Sequence, residues 1–166
     1  MLFRSADESL GTAMLYSSGT TGRPKGILRP LPEDPPANHL PIFSFLLKLW
    51  KYRDGMIYLS PAPLYHSAPQ AAVGLTIRSG GTAVIMEKFD PEAYLALVPK
   101  YRITHSQLVP TMFSRMLKLP EAARKKHDLS SLEIAIHAAA PCPVQDRKST
   151  RLNSSHSQQS RMPSSA

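Results

Sequence analysis

The sequence has almost no cysteine and no long apolar run, and each absence excludes a class of protein. Cys142 is the single cysteine among 166 residues, so an internal disulfide is excluded and a reducing, cytoplasmic compartment is expected. No apolar run approaches the roughly 20 residues that a membrane-spanning helix needs, so none is predicted. The N-terminus also lacks the basic and apolar regions of a secretory signal.

The chain also lacks a block of like charges, although its formal net charge is +8. A basic balance can indicate a nucleic-acid partner. However, residues 145–166 hold four cations against one acid, and the other cations are spread along the chain. We see no pattern of exposed aromatic platforms either, so we predict no nucleic-acid partner. Steeply salt-dependent binding would be the mark of that alternative.

The most distinctive segment is Tyr-Ser-Ser-Gly-Thr-Thr-Gly-Arg-Pro-Lys-Gly at residues 16–26. It follows a short apolar run that we interpret as a strand at residues 13–16, and its glycines and proline are unfavourable inside a helix. We therefore predict a loop that leaves the end of a strand. Glycines let backbone N–H groups approach an anion, hydroxyls donate hydrogen bonds, and Lys25 adds a mobile charge. This composition suits a polyphosphate, and a surface turn of small residues is the alternative.

The spacing in this segment is not that of the Walker loop, because no Ser or Thr follows the lysine and glycine. Instead, Ser-Gly-Thr-Thr-Gly-Arg-Pro-Lys-Gly resembles the signature phosphate loop of the adenylate-forming enzymes. These include acyl-CoA synthetases, aryl-CoA ligases, luciferases and the adenylation domains of peptide synthetases. The resemblance implies that the loop holds the triphosphate of ATP and later the pyrophosphate. The nucleotide-binding residues that it implies are Ser17, Ser18, Gly19, Thr20, Thr21, Gly22, Lys25 and Gly26.

A second informative segment is Ser-Pro-Ala-Pro-Leu-Tyr-His-Ser, which follows a predicted strand at residues 56–59. Its prolines force a turn that presents Tyr65 and His66 at the carboxyl edge of a sheet, where α/β proteins bind ligands. The segment is similar to the family's Pro-Leu-Phe/Tyr-His motif, whose histidine lies near the acyl carboxylate. The resemblance therefore implies that His66 positions the substrate and is not a general base. A packed structural histidine is the alternative.

Strands and helices alternate along the rest of the chain, which favours an α/β fold with a mostly parallel sheet flanked by helices. Further strands are predicted at residues 82–86, 103–109 and 132–136, and helices at 42–50, 67–77, 91–98 and from residue 110 onward. The helix at 42–50 is apolar nearly all round, so most of it should be buried. Met112 and Met116 are expected in the core, and His105 should be a structural residue without a visible partner.

Small residues follow the last predicted strand, in the order His-Ala-Ala-Ala-Pro-Cys-Pro. Small side chains leave room for a flat ligand to lie against the backbone. The segment is similar to the family's small-residue loop beside the adenine and acyl sites, which implies Ala138, Ala139 and Ala140 as nucleotide-binding residues. A compact turn without a ligand is equally compatible with this composition.

The resemblance covers residues 13–144 and then stops. We expect residues 1–144 to form part of the large N-terminal adenylation domain. Residues 145–166 are rich in serine and glutamine and hold too few apolar side chains to fold, so we expect them to be disordered. They look like translated adaptor or vector sequence rather than native protein.

The resemblance implies ATP, Mg²⁺ and coenzyme A as cofactors and a carboxylic acid as substrate. The acid would become an acyl-adenylate and then a thioester. No metal ligand is identified, because the family's Tyr-Gly-x-Thr-Glu motif is absent, as is the later lysine-bearing domain. We therefore expect a fragment that is inactive alone. Residues 27–32 and 138–143 look most like fatty-acyl-CoA synthetases. An aryl or amino-acid substrate and a stand-alone nucleotide-binding module are the alternatives.

Overall fold

The computed structural model describes residue 11 and residues 14–17, 25–28, 30–31 and 41–137. The chain divides into two compact units, with the boundary between Leu46 and Leu47. The elements in chain order are β1 (Leu15–Ser17), β2 (Lys25–Ile27), α1 (Pro41–Leu49), β3 (Ile57–Ser60), α2 (Ser67–Arg78), β4 (Thr82–Ile85), α3 (Pro91–Tyr101), β5 (His105–Leu108), α4 (Pro110–Leu117), α5 (Glu121–Lys125) and β6 (Ile134–His137).

The first unit contains an antiparallel pair of short strands, β1 and β2. Their register places Leu15 opposite Ile27, Tyr16 opposite Gly26 and Ser17 opposite Lys25. The predicted strand before the glycine-rich segment is therefore present. The second strand of the pair was not predicted, because a Lys-Gly-Ile sequence carries no strand signal of its own. The pairing places Ser17 opposite Lys25 at the end of the ladder.

The second unit contains a four-stranded sheet in the order β4-β3-β5-β6. All three neighbouring pairs are parallel, so the carboxyl ends of the strands meet at one edge. The α/β fold with a mostly parallel sheet is thereby confirmed. The strands are shorter than predicted: Met86 and Ile103, for example, are buried but lie outside the ladders.

Helices cover both faces of the sheet. Successive residues of β3 point to opposite faces, and each of two such neighbours packs against a different set of helices. Leu59 belongs to the larger core cluster, which includes residues of α3 and α4 such as Leu95 and Phe113. Tyr58 packs on the other face, in a smaller cluster with Ala72 of α2. The predicted methionine stripe lies in the larger core, where Met112 and Met116 are buried.

Helix α3 shows how local sequence fixes an element. The Asp90 side chain accepts a hydrogen bond from the backbone N–H of Ala93 at 2.8 Å, and Pro91 opens the helix. Both features are typical of a helix N-terminus. The helix ends where Arg102 adopts the left-handed conformation, with φ 53°. It is therefore longer than the predicted span of 91–98.

One expectation about helices was wrong, and one helix was missed. Helix α1 is not mostly buried: Leu46 is buried, but Ile42 and Phe45 are 47% and 59% exposed. An apolar sequence all round a helix indicates burial only where neighbours cover every side. Helix α5 was not predicted, because its five residues are too few to show an amphipathic period.

His105 is a structural residue, as predicted, but it does have partners. Its Nε2 lies 3.0 Å from the Trp50 carbonyl oxygen, and its Nδ1 lies 2.8 Å from the Thr104 hydroxyl. Because a carbonyl only accepts, Nε2 carries the proton and Nδ1 accepts from Thr104. The ring also meets Tyr52 edge-on at 5.7 Å. These contacts tie the start of the second unit to β5.

We expect the free energy of unfolding to fall as the pH is lowered below about 6.5, the ordinary value for histidine, because of His105. Burial lowers the pKa of His105, and the hydrogen bond to Trp50 opposes that effect only in part. The unfolded chain therefore takes up a proton that the folded chain does not, which favours unfolding in acid. Urea titrations from pH 5 to 8 should show a shallower pH dependence for His105→Gln, and an unchanged slope would contradict this account.

Candidate functional site

The strand order creates a topological switch point between β3 and β5. The chain leaves β3 through α2 towards β4 on one side, and it leaves β5 through α4 and α5 towards β6 on the other. In open α/β sheets, ligands bind outside the carboxyl ends of the strands at such a point. The segments that follow Ser60 and Leu108 are therefore the first place to look for a site.

His66 lies in the turn that leaves β3 at this edge. Its backbone N–H donates to the Pro63 carbonyl at 3.2 Å, and its own carbonyl accepts from the Gln70 N–H at 3.2 Å. The backbone of His66 thus closes the turn and begins α2, while its side chain makes no capping hydrogen bond. His66 is exposed to solvent.

Tyr65 accompanies His66 at this edge. The two ring centroids lie 4.4 Å apart, with an angle of 49° between the ring planes. The Tyr65 side chain is 83% exposed. The two rings therefore form an exposed aromatic pair beside the switch point.

The stretch of chain around His66 carries no charged side chain. Residues 56–77 contain no Asp, Glu, Lys or Arg, so no carboxylate of that stretch can orient His66 as a base. Within the part of the chain that the structure describes, no group of three His, Cys, Asp or Glu could hold a metal ion. Both observations are compatible with the predicted role of His66 as a residue that positions substrate, and that role stays a prediction.

Buried polar residues lie just beneath the edge, and sequence reasoning missed them. The Ser106 hydroxyl donates to the Leu59 carbonyl at 2.8 Å. Burial raises the pKa of Tyr94 to about 12, and the neighbouring Ser106 opposes that shift. The Tyr94 ring is part of the larger core cluster, on the same face of the sheet as Leu59. No sequence signal distinguishes these residues from ordinary strand and helix positions.

The strand pair in the first unit carries the described part of the predicted phosphate loop. Lys25 is exposed on β2, and Gly26 lies opposite Tyr16. A Cβ atom added at Gly26 would lie 2.6 Å from Met14 Cε and 3.2 Å from Tyr16 Cε1. Met14 is exposed and its Cε is the free end of a flexible side chain, so a side chain at residue 26 would displace it at little cost.

Of the remaining predicted site residues, only Ser17 is among the described residues. Ser17 is described as the last residue of β1. The others are Ser18, Gly19, Thr20, Thr21 and Gly22 in the loop, and Ala138, Ala139 and Ala140 after β6. The structure thus places Lys25 and Gly26 on the strand pair and His66 at the sheet edge.

Comparison with solved structures identifies the fold. The chain superposes on the inhibitor-bound N-terminal domain of FACL13 from Mycobacterium tuberculosis with a TM-score of 0.74 and 26% identity. That match covers 90% of this chain and 36% of the solved one. The amide bond synthetase McbA from Marinactinospora thermotolerans matches with a TM-score of 0.67 and 27% identity, over 87% of this chain and 28% of that one. The fold is that of the N-terminal domain of adenylate-forming enzymes.

Comparison of the sequence establishes the family: residues 5–152 match the AMP-binding enzymes, so the chain belongs to that family. A probable CoA ligase of Humulus lupulus, CCL5, is 34% identical over 77% of this chain and 23% of its own length. The medium/long-chain-fatty-acid–CoA ligase FadD8 of Mycobacterium tuberculosis is 32% identical over 81% of this chain and 22% of its own length. The chain therefore spans about a quarter of the length of these relatives.

The longest helix among the described residues is α2, with 12 residues. None of the helices is both long enough and apolar enough to cross a bilayer.

Proposed function

We propose that the protein activates a carboxylic acid with ATP and transfers the acyl group to coenzyme A. The observation that carries this proposal is the match of residues 5–152 to the AMP-binding enzymes. The relatives' names support it, since they include CoA ligases for fatty acids and for 4-coumarate. Because the chain spans about a quarter of these relatives, the proposal concerns the whole ligase to which the sequence belongs.

The proposed reaction has two steps. A carboxylate oxygen of the acid attacks the α-phosphorus of ATP, and the bond to pyrophosphate breaks. The sulfur of coenzyme A then attacks the acyl carbon, and AMP leaves with the electrons of the acyl–oxygen bond. Chemistry at phosphorus depends mainly on positioning and charge stabilisation. Both are contributions that a loop of backbone N–H groups, hydroxyls and a lysine can make.

The roles of individual residues follow from the motif and the described geometry. Ser18, Thr20 and Thr21 would donate hydrogen bonds to the phosphates, and Lys25 would neutralise their charge. Gly26 keeps the strand beside the loop free of a side chain. Mg²⁺ would accompany ATP as its counter-ion, but the described residues include no cluster that fits it, so no step is assigned to the metal.

For the acid, we propose a fatty acyl substrate. Residues 27–32 and 138–143 look most like fatty-acyl-CoA synthetases, and FadD8 is one such relative at 32% identity. An aryl acid is the second candidate, since a 4-coumarate–CoA ligase of rice is 31% identical. Amino acids are a third. Rates of thioester formation with hexadecanoate, 4-coumarate and an amino acid would separate them, and faster turnover of 4-coumarate would overturn the fatty-acid assignment.

We expect His66→Ala to raise the KM for the acid about tenfold or more in the full-length ligase, with the KM for ATP unchanged. The binding free energy that is lost corresponds to one hydrogen bond to a carboxylate, which is worth about 1.5–3 kcal/mol. Initial rates at varied acid and at varied ATP give both constants. His127→Ala, in the connection between α5 and β6, is the matched control and should change neither. Equal effects on both substrates would contradict the role of His66.

The chain alone should not turn over, since the motifs that complete the site in this family are absent from it. We expect no acyl-adenylate from the purified chain with ATP and hexadecanoate. Exchange of labelled pyrophosphate into ATP measures that half-reaction directly. Exchange that depends on added acid would contradict the expectation.

A stand-alone nucleotide-binding module without catalysis is the alternative from a different class. ATP binding by residues 1–144, with no reaction in any longer form of the protein, would favour it. We also propose that the enzyme acts in the cytoplasm and that residues 145–166, of which the family match reaches only the first eight, are a non-native tail. Removal of the tail should leave ATP affinity unchanged.

A further inference from the structure

Tyr65 is an exposed aromatic residue whose position calls for an explanation. Its side chain is 83% exposed, so burial contributes little to holding it in place. The ring contact that the structure records for it is with His66, at 4.4 Å between centroids. Aromatic pairs at this separation attract each other beyond the effect of buried area.

His66 has little else to fix its imidazole. Its backbone is held by the turn and by the first bonds of α2, but its side chain makes no capping hydrogen bond. A functional histidine is usually oriented by a carboxylate or a carbonyl at its second nitrogen. No acidic residue occurs between residues 56 and 77, and within the described residues no hydrogen bond to the imidazole is recorded.

We propose that Tyr65 is a positioning residue that orients the His66 imidazole through their ring contact. The inference rests on the proposed function, in which His66 contacts the substrate carboxylate. The Tyr65 ring restricts rotation of the imidazole, because the two rings meet at 49° and 4.4 Å beside a backbone that the turn holds fixed. An imidazole aligned before the acid binds loses less rotational freedom on binding. The Tyr65 hydroxyl is not needed for this effect.

The test compares Tyr65→Leu, which removes the aromatic ring, with Tyr65→Phe, which keeps it. NMR spectra of the purified chain report the contact, because the current in the Tyr65 ring displaces the resonances of nearby His66 ring protons. Tyr65→Leu should abolish that displacement and should raise the KM for hexadecanoate about two- to tenfold in the full-length ligase, the range that an aromatic pair contributes. The kcat and the KM for ATP should not change. Tyr65→Phe should behave as the natural sequence does.

Several results would overturn the proposal. Unchanged His66 resonances in Tyr65→Leu would show that the rings do not interact. If Tyr65→Leu abolishes the displacement of the His66 resonances but leaves the KM for hexadecanoate unchanged, the contact does not matter for binding. If Tyr65→Phe raises that KM as much as Tyr65→Leu does, the effect comes from the hydroxyl and not from the ring. If the natural chain shows the displacement but His66→Ala leaves the KM for hexadecanoate unchanged, the proposed function of His66 fails and the ring contact stands.

Discussion

Replacing Thr20, Thr21 and Lys25 together by alanine is expected to weaken ATP binding by at least about a hundredfold. Each side chain is proposed to make a hydrogen bond to a charged phosphate, worth about 1.5–3 kcal/mol. Part of the loss can be offset by water, so we expect less than the full sum. Titration calorimetry with ATP measures the dissociation constant directly, on the natural and the variant chain.

The control for this experiment is the pair Thr111→Ala and Lys118→Ala, in and just after α4. Both side chains are exposed, so their replacement changes the same residue types without disturbing a core. ATP affinity should stay within about twofold of the natural value. An equal loss in the control would mean that the triple variant reports general charge or folding, and not the loop.

Gly81→Ala is expected to destabilise the chain by about 1–3 kcal/mol, the usual range for overpacking a tight site. A Cβ atom at residue 81 would lie 2.6 Å from Met56 Cγ, 2.9 Å from the Met56 carbonyl oxygen and 2.9 Å from Thr76 Cγ2. The carbonyl cannot move freely, because it accepts a hydrogen bond from the Thr82 N–H at 2.8 Å. The glycine thus lets the α2–β4 connection approach the start of β3.

Gly74→Ala is the matched control, since the same change is made in the interior of α2. A Cβ atom there would meet nothing within 4 Å. Alanine is favoured over glycine inside helices by up to about 1 kcal/mol, so this variant should be slightly more stable. Urea unfolding of both variants should give shifts of opposite sign. A Gly81→Ala midpoint at or above the natural one would contradict the packing described here.

Much of the fold could be predicted because local signals and the sheet agree. Asp90 with Pro91 marks the start of α3, and alternating strands and helices indicate a parallel sheet. Element ends were less accurate: Met56 and Ile103 were assigned to strands because they are apolar. They are indeed buried, but by tertiary contacts outside the ladders.

The features that the sequence did not reveal depend on contacts between distant segments. The partner of His105 is the carbonyl of Trp50, a backbone group 55 residues away that no side-chain pattern can indicate. The strand order β4-β3-β5-β6, which creates the switch point beside His66, also follows from tertiary packing. The contact of Tyr65 with His66 involves neighbouring residues, yet their backbone turn decides whether the rings meet.

The most direct test of the account is a competition experiment on ATP binding by the purified protein. If the glycine- and threonine-rich loop binds the phosphates of ATP, inorganic triphosphate should displace ATP, whereas adenosine should compete far more weakly. The Thr20, Thr21 and Lys25 variant should lose triphosphate binding as well. Displacement by adenosine but not by triphosphate would contradict the account.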